Sequence, residues 1–188
     1  MGLAGAEAKA HPLPGDERPG EARPVTITPG DMSMKDYPVV VDVGVRWGDM
    51  DALVHVNNVV YFEYFELARV AYLERIGMPT PGPAWRDFGW VIGSTCCRYE
   101  APVAFPDTLA VGTRAGALSG DRLLMEYQAV SAKLNRVAAE GEALLVAYDF
   151  GAGRVTPIPD DIRRLILSLE DRELPRVPRG AGRIVGDS

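Results

Sequence analysis

Between Asn58 and Ile76 the chain reads NVVYFEYFELARVAYLERI, with no glycine or proline until Gly77. That length predicts a helix, and Gly77 supplies its C-terminal stop. Val59, Val60, Tyr61, Phe62, Tyr64, Phe65, Leu67, Ala68, Val70, Ala71, Tyr72 and Leu73 place apolar side chains on almost every side of it. A surface helix carries one apolar stripe, whereas a helix apolar nearly all round is buried on most sides. Glu63, Glu66, Arg69 and Glu74 mark what remains for solvent, with Glu66 and Arg69 spaced as an i,i+3 pair. Whatever else the chain forms must wrap this helix.

The rest of the middle supplies the wrapping. PVVVDVGVRW is β-branched and precedes the helix as a strand. Four strand-like segments follow the turn-rich PTPGPAW: GWVIGSTCCRYEAPV, DTLAVGTRAGALSG, RLLMEYQAVSAK and AAEGEALLVAYDF. Their short Gly-, Pro- and Asp-bearing connections predict an antiparallel meander. PDDIRRLILSLE opens on Pro and Asp and reads as a short terminal helix. The expected class is α+β, one domain over residues 38–169 with an antiparallel sheet wrapped around a long central helix. Residues 1–37 and 170–188 are rich in Pro, Gly and charge without periodicity, and are expected to be a flexible N-terminal extension and a flexible C-terminal tail.

Charge narrows the function classes. A net charge of −6 argues against nucleic acid as a partner, because phosphate backbones need a clustered positive field. The N-terminal residues lack the continuous apolar stretch of a signal peptide, no segment approaches a membrane span, and Ala6 stands where a myristoylation signal needs Ser or Thr. A cytoplasmic location is the resulting expectation. Cys96 and Cys97 are adjacent on a strand and so face opposite ways. They are read as two small buried or half-buried thiols rather than a disulfide.

Immediately before the helix, RWGDMDALVHVNN crowds two carboxylates, a histidine and two asparagines into one loop. Asn57 and Asn58 suit helix capping, at least one of them in that role. Asp49 suits a loop-shaping or capping role. Asp49, Asp51 and His55 could be imagined around a metal. Their spacing is not that of a zinc or calcium loop, and the other histidine, His11, lies in the N-terminal extension. No metal is expected.

The stretch RWGDMDALVHVNNVVYFEYFELARVAYLERIG resembles the signature of hotdog-fold acyl-CoA thioesterases, of the 4-hydroxybenzoyl-CoA thioesterase and YbgC-like group. Asp49, Asp51, His55, Asn57, Asn58, Tyr61, Tyr64, Ala68 and Arg69 fall in register with that pattern. RYEAPVAFPDTLAV and RVTPIPDDIRRLI resemble later parts of it, so the likeness spans roughly residues 38–169. Val54 stands where the family has a glycine before the histidine, and Pro106 where it has one before Asp107. The glycine positions are those at which positive φ or close ligand approach is expected.

The resemblance implies a single hotdog domain, hydrolysis of an acyl-CoA thioester to the free acid and coenzyme A, and Asp51 as catalytic carboxylate. It implies no cofactor, coenzyme A entering only as part of the substrate, and sites at the interface of a homodimer or homotetramer. His55, Asn57, Asn58 and Tyr61 become residues that position substrate or shape the site. The chemistry agrees: a thioester carbonyl needs a base or nucleophile, which a carboxylate supplies, and a donor for the oxyanion, which free N–H groups at a helix start supply. Asp51 could act as general base or as nucleophile. Arg98, Arg114, Arg122, Lys133 and Arg136 are candidates by charge for the coenzyme A phosphates. A thioesterase acting on acyl carrier protein, and a non-catalytic acyl-binding or scaffold protein, are the alternatives.

Overall fold

The computed structural model describes residues 34–78 and 88–178. In chain order the elements are β1 (Val39–Gly44), α1 (Val60–Arg75), β2 (Gly89–Tyr99), β3 (Thr108–Leu118), β4 (Arg122–Ser131), β5 (Arg136–Asp149), β6 (Arg154–Val155) and α2 (Asp160–Glu170). Short 3-10 turns lie at Met34–Asp36 and Trp47–Asp49. One antiparallel sheet runs in the order β1-β3-β4-β5-β2, with β6 added to β5. The curled sheet wraps one side of α1, and the α+β class and hotdog domain are as expected.

The all-round apolar pattern of α1 resolves into two sides. Tyr61, Tyr64, Phe65, Ala68, Tyr72 and Leu73 are buried against the sheet, where Leu109, Val111, Leu123, Met125, Tyr127 and Leu145 are fully enclosed. Leu67 and Val59 remain more than half exposed, because a single sheet reaches only one side of the helix. Phe65 stacks on Tyr127 at 4.9 Å between ring centroids. That approach needs Gly141, where an added Cβ would stand 2.4 Å from Phe65 Cε2. Replacing Phe65 by alanine would cost about 3–5 kcal/mol of such core packing. Gly77 ends the helix with φ of +79° and its N–H on the Glu74 carbonyl. Arg69 bonds Glu66 at 3.3 Å, as its spacing predicted.

The meander expectation needs correction. β3, β4 and β5 are consecutive neighbours, but β2 pairs with β5 at the far edge instead of with β3. The connection between β2 and β3 carries Pro102 and Pro106, which lack ladder donors, and it crosses the sheet end rather than turning back. β6, only two residues long, was not foreseen. Cys96 also departs from its expected burial: it is exposed, Cys97 is half-buried, and both thiols are free.

Beyond the helix-wrapping sheet, α2 is fastened by its last residue. Glu170 Oε1 accepts from the Tyr72 hydroxyl at 2.8 Å and from the Ala115 N–H at 2.6 Å. Burial first, then the Glu170 carboxylate, pushes the Tyr72 hydroxyl far above its usual range, so it remains a donor. Arg172 donates to the Ala115 carbonyl, and the Leu118 N–H bonds the Pro175 carbonyl, so the chain just after α2 runs along β3. The proposed flexible extension lies almost wholly outside the described residues. Met34, at its end, is buried, and Tyr37 lies under the Arg114 guanidinium.

Candidate active site

The loop between β1 and α1 closes on itself through backbone bonds. Asp51 donates its N–H to the His55 carbonyl at 2.9 Å, Val54 donates to the Asp51 carbonyl at 3.0 Å, and Met50 and Val56 form an isolated bridge. The Val56 N–H then bonds the Val103 carbonyl at 2.8 Å, and the Asn57 N–H bonds the Asp49 carbonyl at 2.8 Å. Asp51 thus sits at the neck of a tight excursion whose tip, Leu53 and Val54, faces solvent. Val54 adopts φ of +64°, the left-handed region in which a β-branched residue is strained. A glycine would sit there freely; this chain holds the path with a valine.

The two aspartates of the loop have separate surroundings. Asp49 is buried, and its carboxylate accepts from the Arg46 N–H (2.7 Å), Arg46 Nε (2.8 Å) and the Tyr64 hydroxyl (2.7 Å). Burial alone would raise its pKa, yet the bonds from Arg46 and Tyr64 outweigh it and hold the carboxyl below its usual value. Asp49 shapes the loop, as its capping role predicted. Asp51 is exposed, and its Oδ1 accepts from the Leu53 N–H at 2.7 Å. That bond fixes the carboxylate while Oδ2 has no hydrogen-bond partner among the described residues.

Asp51 lines a cavity of about 360 Å3 together with Val56, Asn58, Tyr61, Tyr99, Glu100, Ala101, Pro102 and Val103. Three of the residues expected at the site, Asp51, Asn58 and Tyr61, therefore meet. Asn57 stands apart and does not cap α1 as expected of at least one of the two asparagines: the N-cap is Val59, with no side-chain cap, and Asn57 shapes the turn before the helix, its Oδ1 accepting from the Val59 N–H at 3.1 Å and its carbonyl from the Val60 N–H at 3.0 Å. The exposed His55 side chain is not part of the cavity wall; its carbonyl is what holds the loop. At the helix start, no described backbone carbonyl accepts from the Asn58 or Tyr61 N–H. The Asn58 carbonyl is occupied, bonding the Tyr99 hydroxyl at 3.0 Å and pinning the helix to the end of β2.

Tyr61 is held by edge-on contacts with Tyr64 (5.8 Å) and Tyr99 (5.3 Å), and burial pushes its hydroxyl up to about 12. Tyr99, Glu100, Ala101, Pro102 and Val103 were not foreseen as site residues. They arrive from the far edge of the sheet, and only their likeness to a family segment hinted at a role. Among the described residues no three metal-ligating side chains converge. Asp49 has already committed both oxygens to Arg46 and Tyr64.

The arginines suggested for phosphate are mostly engaged. Arg98 bonds Glu100 and Glu140, Arg114 bonds Glu126 at 2.7 Å, and Arg122 lies 3.7 Å from Asp121. Arg136 reaches the carbonyl of Glu100, a cavity-wall residue, at 3.4 Å. Lys133 anchors the β4–β5 turn through its backbone N–H on Asp107, leaving its ammonium exposed.

Comparisons with known proteins fit this geometry. A family profile described as the thioesterase-like superfamily matches residues 45–166. A thioesterase from Thermus thermophilus, solved with coenzyme A and zinc, is 35% identical with a TM-score of 0.65, covering 74% of this chain and 99% of that one. A gentisyl-coenzyme A thioesterase is 27% identical with a TM-score of 0.61, covering 68% and 98%. A curated relative, the uncharacterized protein YsmA of Bacillus subtilis, is 28% identical over 85 residues, and the match spans 56% of that protein's length. No described helix is long and apolar enough to cross a membrane. With a match over residues 45–166 and a curled sheet around one long helix, the chain belongs to the thioesterase-like superfamily and has its hotdog fold.

Proposed function

We propose that the protein is an acyl-CoA thioesterase in which Asp51 is the catalytic carboxylate. The observation that carries this reading is the meeting of three things in one cavity: the fixed Asp51 carboxylate, the unengaged Asn58 N–H at the start of α1, and a largely apolar wall. The thioester carbonyl oxygen points at the Asn58 N–H, where the helix start favours developing negative charge. Asp51 then either takes a proton from an attacking water or adds to the carbonyl itself to give a mixed anhydride that water cleaves. In both routes the C–S bond breaks, the thiolate leaves and is protonated, and one water is consumed for each acid released.

Coenzyme A extends from the cavity mouth toward the β4–β5 turn, where Arg136 and Lys133 offer charge to its phosphates. β2 forms the end of the sheet, and its outer edge pairs with no described strand. A second copy joined along that edge would meet the cavity at Tyr99 and Glu100, which supports a dimer with paired sites. The test is turnover of acyl-CoAs from short to long, with an aromatic one included. It is followed by loss of the thioester's ultraviolet absorbance, since exposed Cys96 would itself consume a thiol reagent. Hydrolysis of at least one acyl-CoA is expected. Turnover only of carrier-protein thioesters, or of none, would overturn the reading.

A further inference from the structure

Around the start of α1 the N–H groups of Val59, Val60 and Phe62 are all taken: by Asn57 Oδ1 at 3.1 Å, the Asn57 carbonyl at 3.0 Å and the Val59 carbonyl at 3.2 Å. The bonds from Val60 and Phe62 both follow the i,i+3 spacing of a 3-10 turn. That register calls for a bond between them, from the Tyr61 N–H to the Asn58 carbonyl. It is missing, and the Tyr61 N–H has no hydrogen-bond partner among the described residues. Its acceptor is held from another direction: the Asn58 carbonyl takes the Tyr99 hydroxyl at 3.0 Å. Tyr99 is the last residue of β2, and its ring lies edge-on to Tyr61 at 5.3 Å between centroids. The sheet thus reaches into the first turn of the helix and occupies the one carbonyl that would close it.

Asn58, Tyr61 and Tyr99 line the same cavity as Asp51. A first turn wound in full would satisfy the Tyr61 N–H and offer that cavity one donor fewer. An unpaired N–H at a helix start favours negative charge developing on a substrate oxygen. We propose that Tyr99 is a positioning residue: by holding the Asn58 carbonyl, its hydroxyl keeps the Tyr61 N–H open as a donor to the thioester group, alongside the Asn58 N–H. This inference rests on the acyl-CoA thioesterase reading and deepens it with a residue of β2 that acts through the helix start. The Tyr99 hydroxyl itself touches no reacting atom. Without it the Asn58 carbonyl is free to accept from the Tyr61 N–H, in the spacing that Val60 and Phe62 already use.

The test compares full-length wild type with Tyr99→Phe, which keeps the ring and its contact with Tyr61. Tyr99 is 45% exposed, so the change leaves the core intact. Exchange of the Tyr61 amide hydrogen, followed by NMR without substrate, is expected to slow by at least about ten-fold in the variant, since a newly bonded amide gains protection. On the acyl-CoA that wild type hydrolyses best, kcat is expected to fall by at least about ten-fold while KM stays within about two-fold, as for a donor used chiefly in the transition state. Unaltered exchange at Tyr61 would overturn the inference. So would slowed exchange beside an unchanged kcat, or a rise in KM alone. The two levels are separable because exchange needs no substrate. A wild type that turns over no acyl-CoA would bring down the thioesterase reading and this role with it, whereas an active wild type whose exchange and kcat are unmoved by Tyr99→Phe would sink the role of Tyr99 alone.

Discussion

The Tyr64 hydroxyl donates a 2.7 Å hydrogen bond to Asp49 Oδ2, joining the buried side of α1 to the loop that presents Asp51 two residues later. The same carboxylate receives the Arg46 N–H and Nε, so the loop's path is fixed from both ends. Tyr64→Phe removes one donor from a buried carboxylate and is expected to destabilise the fold by about 1.5–3 kcal/mol. Denaturant unfolding checks it: the midpoint falls while the slope is unchanged. A variant as stable as wild type would show that the bond contributes nothing.

Acid provides a separate test of that network. The Asp49 carboxyl is held below its ordinary 3.8 in the folded chain, so the unfolded chain binds a proton more readily. The stability this supplies is fully present above the unfolded value and is lost as pH falls through the folded one. Unfolding free energy measured from neutral pH downward should therefore drop below about pH 4, and Asp49→Asn should lack that part of the drop. Parallel curves for the two proteins would contradict the assignment.

Val54 carries strain at φ of +64° that its side chain does not offset, since it is 62% exposed. A left-handed non-glycine residue costs about 1–2 kcal/mol, part of which glycine returns through the greater entropy of the unfolded chain. Val54→Gly is expected to raise the melting temperature by about 1–3 °C. Scanning calorimetry decides, and a fall would mean that the valine makes contacts worth more than its strain.

Much of this was legible in the sequence. The buried helix followed from the breadth of its apolar face and the glycine after it. Asp51 and the helix start were marked by the polar run before it. Strand pairing was less legible, because adjacency in sequence says nothing about which edge a strand takes. β2 reached the far side of β5 through a proline-bearing connection that carried no signal of direction. Asp49 and Asp51 are chemically identical and two residues apart, yet one is buried and one exposed. Arg46, three residues before Asp49, is the local sign of that difference; Tyr64, on the next helix, is the distant one. Tyr99 and Glu100 had no signal beyond the likeness of RYEAPVAFPDTLAV to a family segment, since only the completed sheet brings them to the cavity.

The central claim is that Asp51 carries the chemistry. Its most direct test is the single-turnover rate of Asp51→Asn on whichever acyl-CoA wild type hydrolyses best, with melting temperature and oligomeric state measured alongside. A folded variant slowed by at least about 100-fold is expected, the scale of a lost general base or nucleophile. A folded variant turning over within a few-fold of wild type would contradict the account.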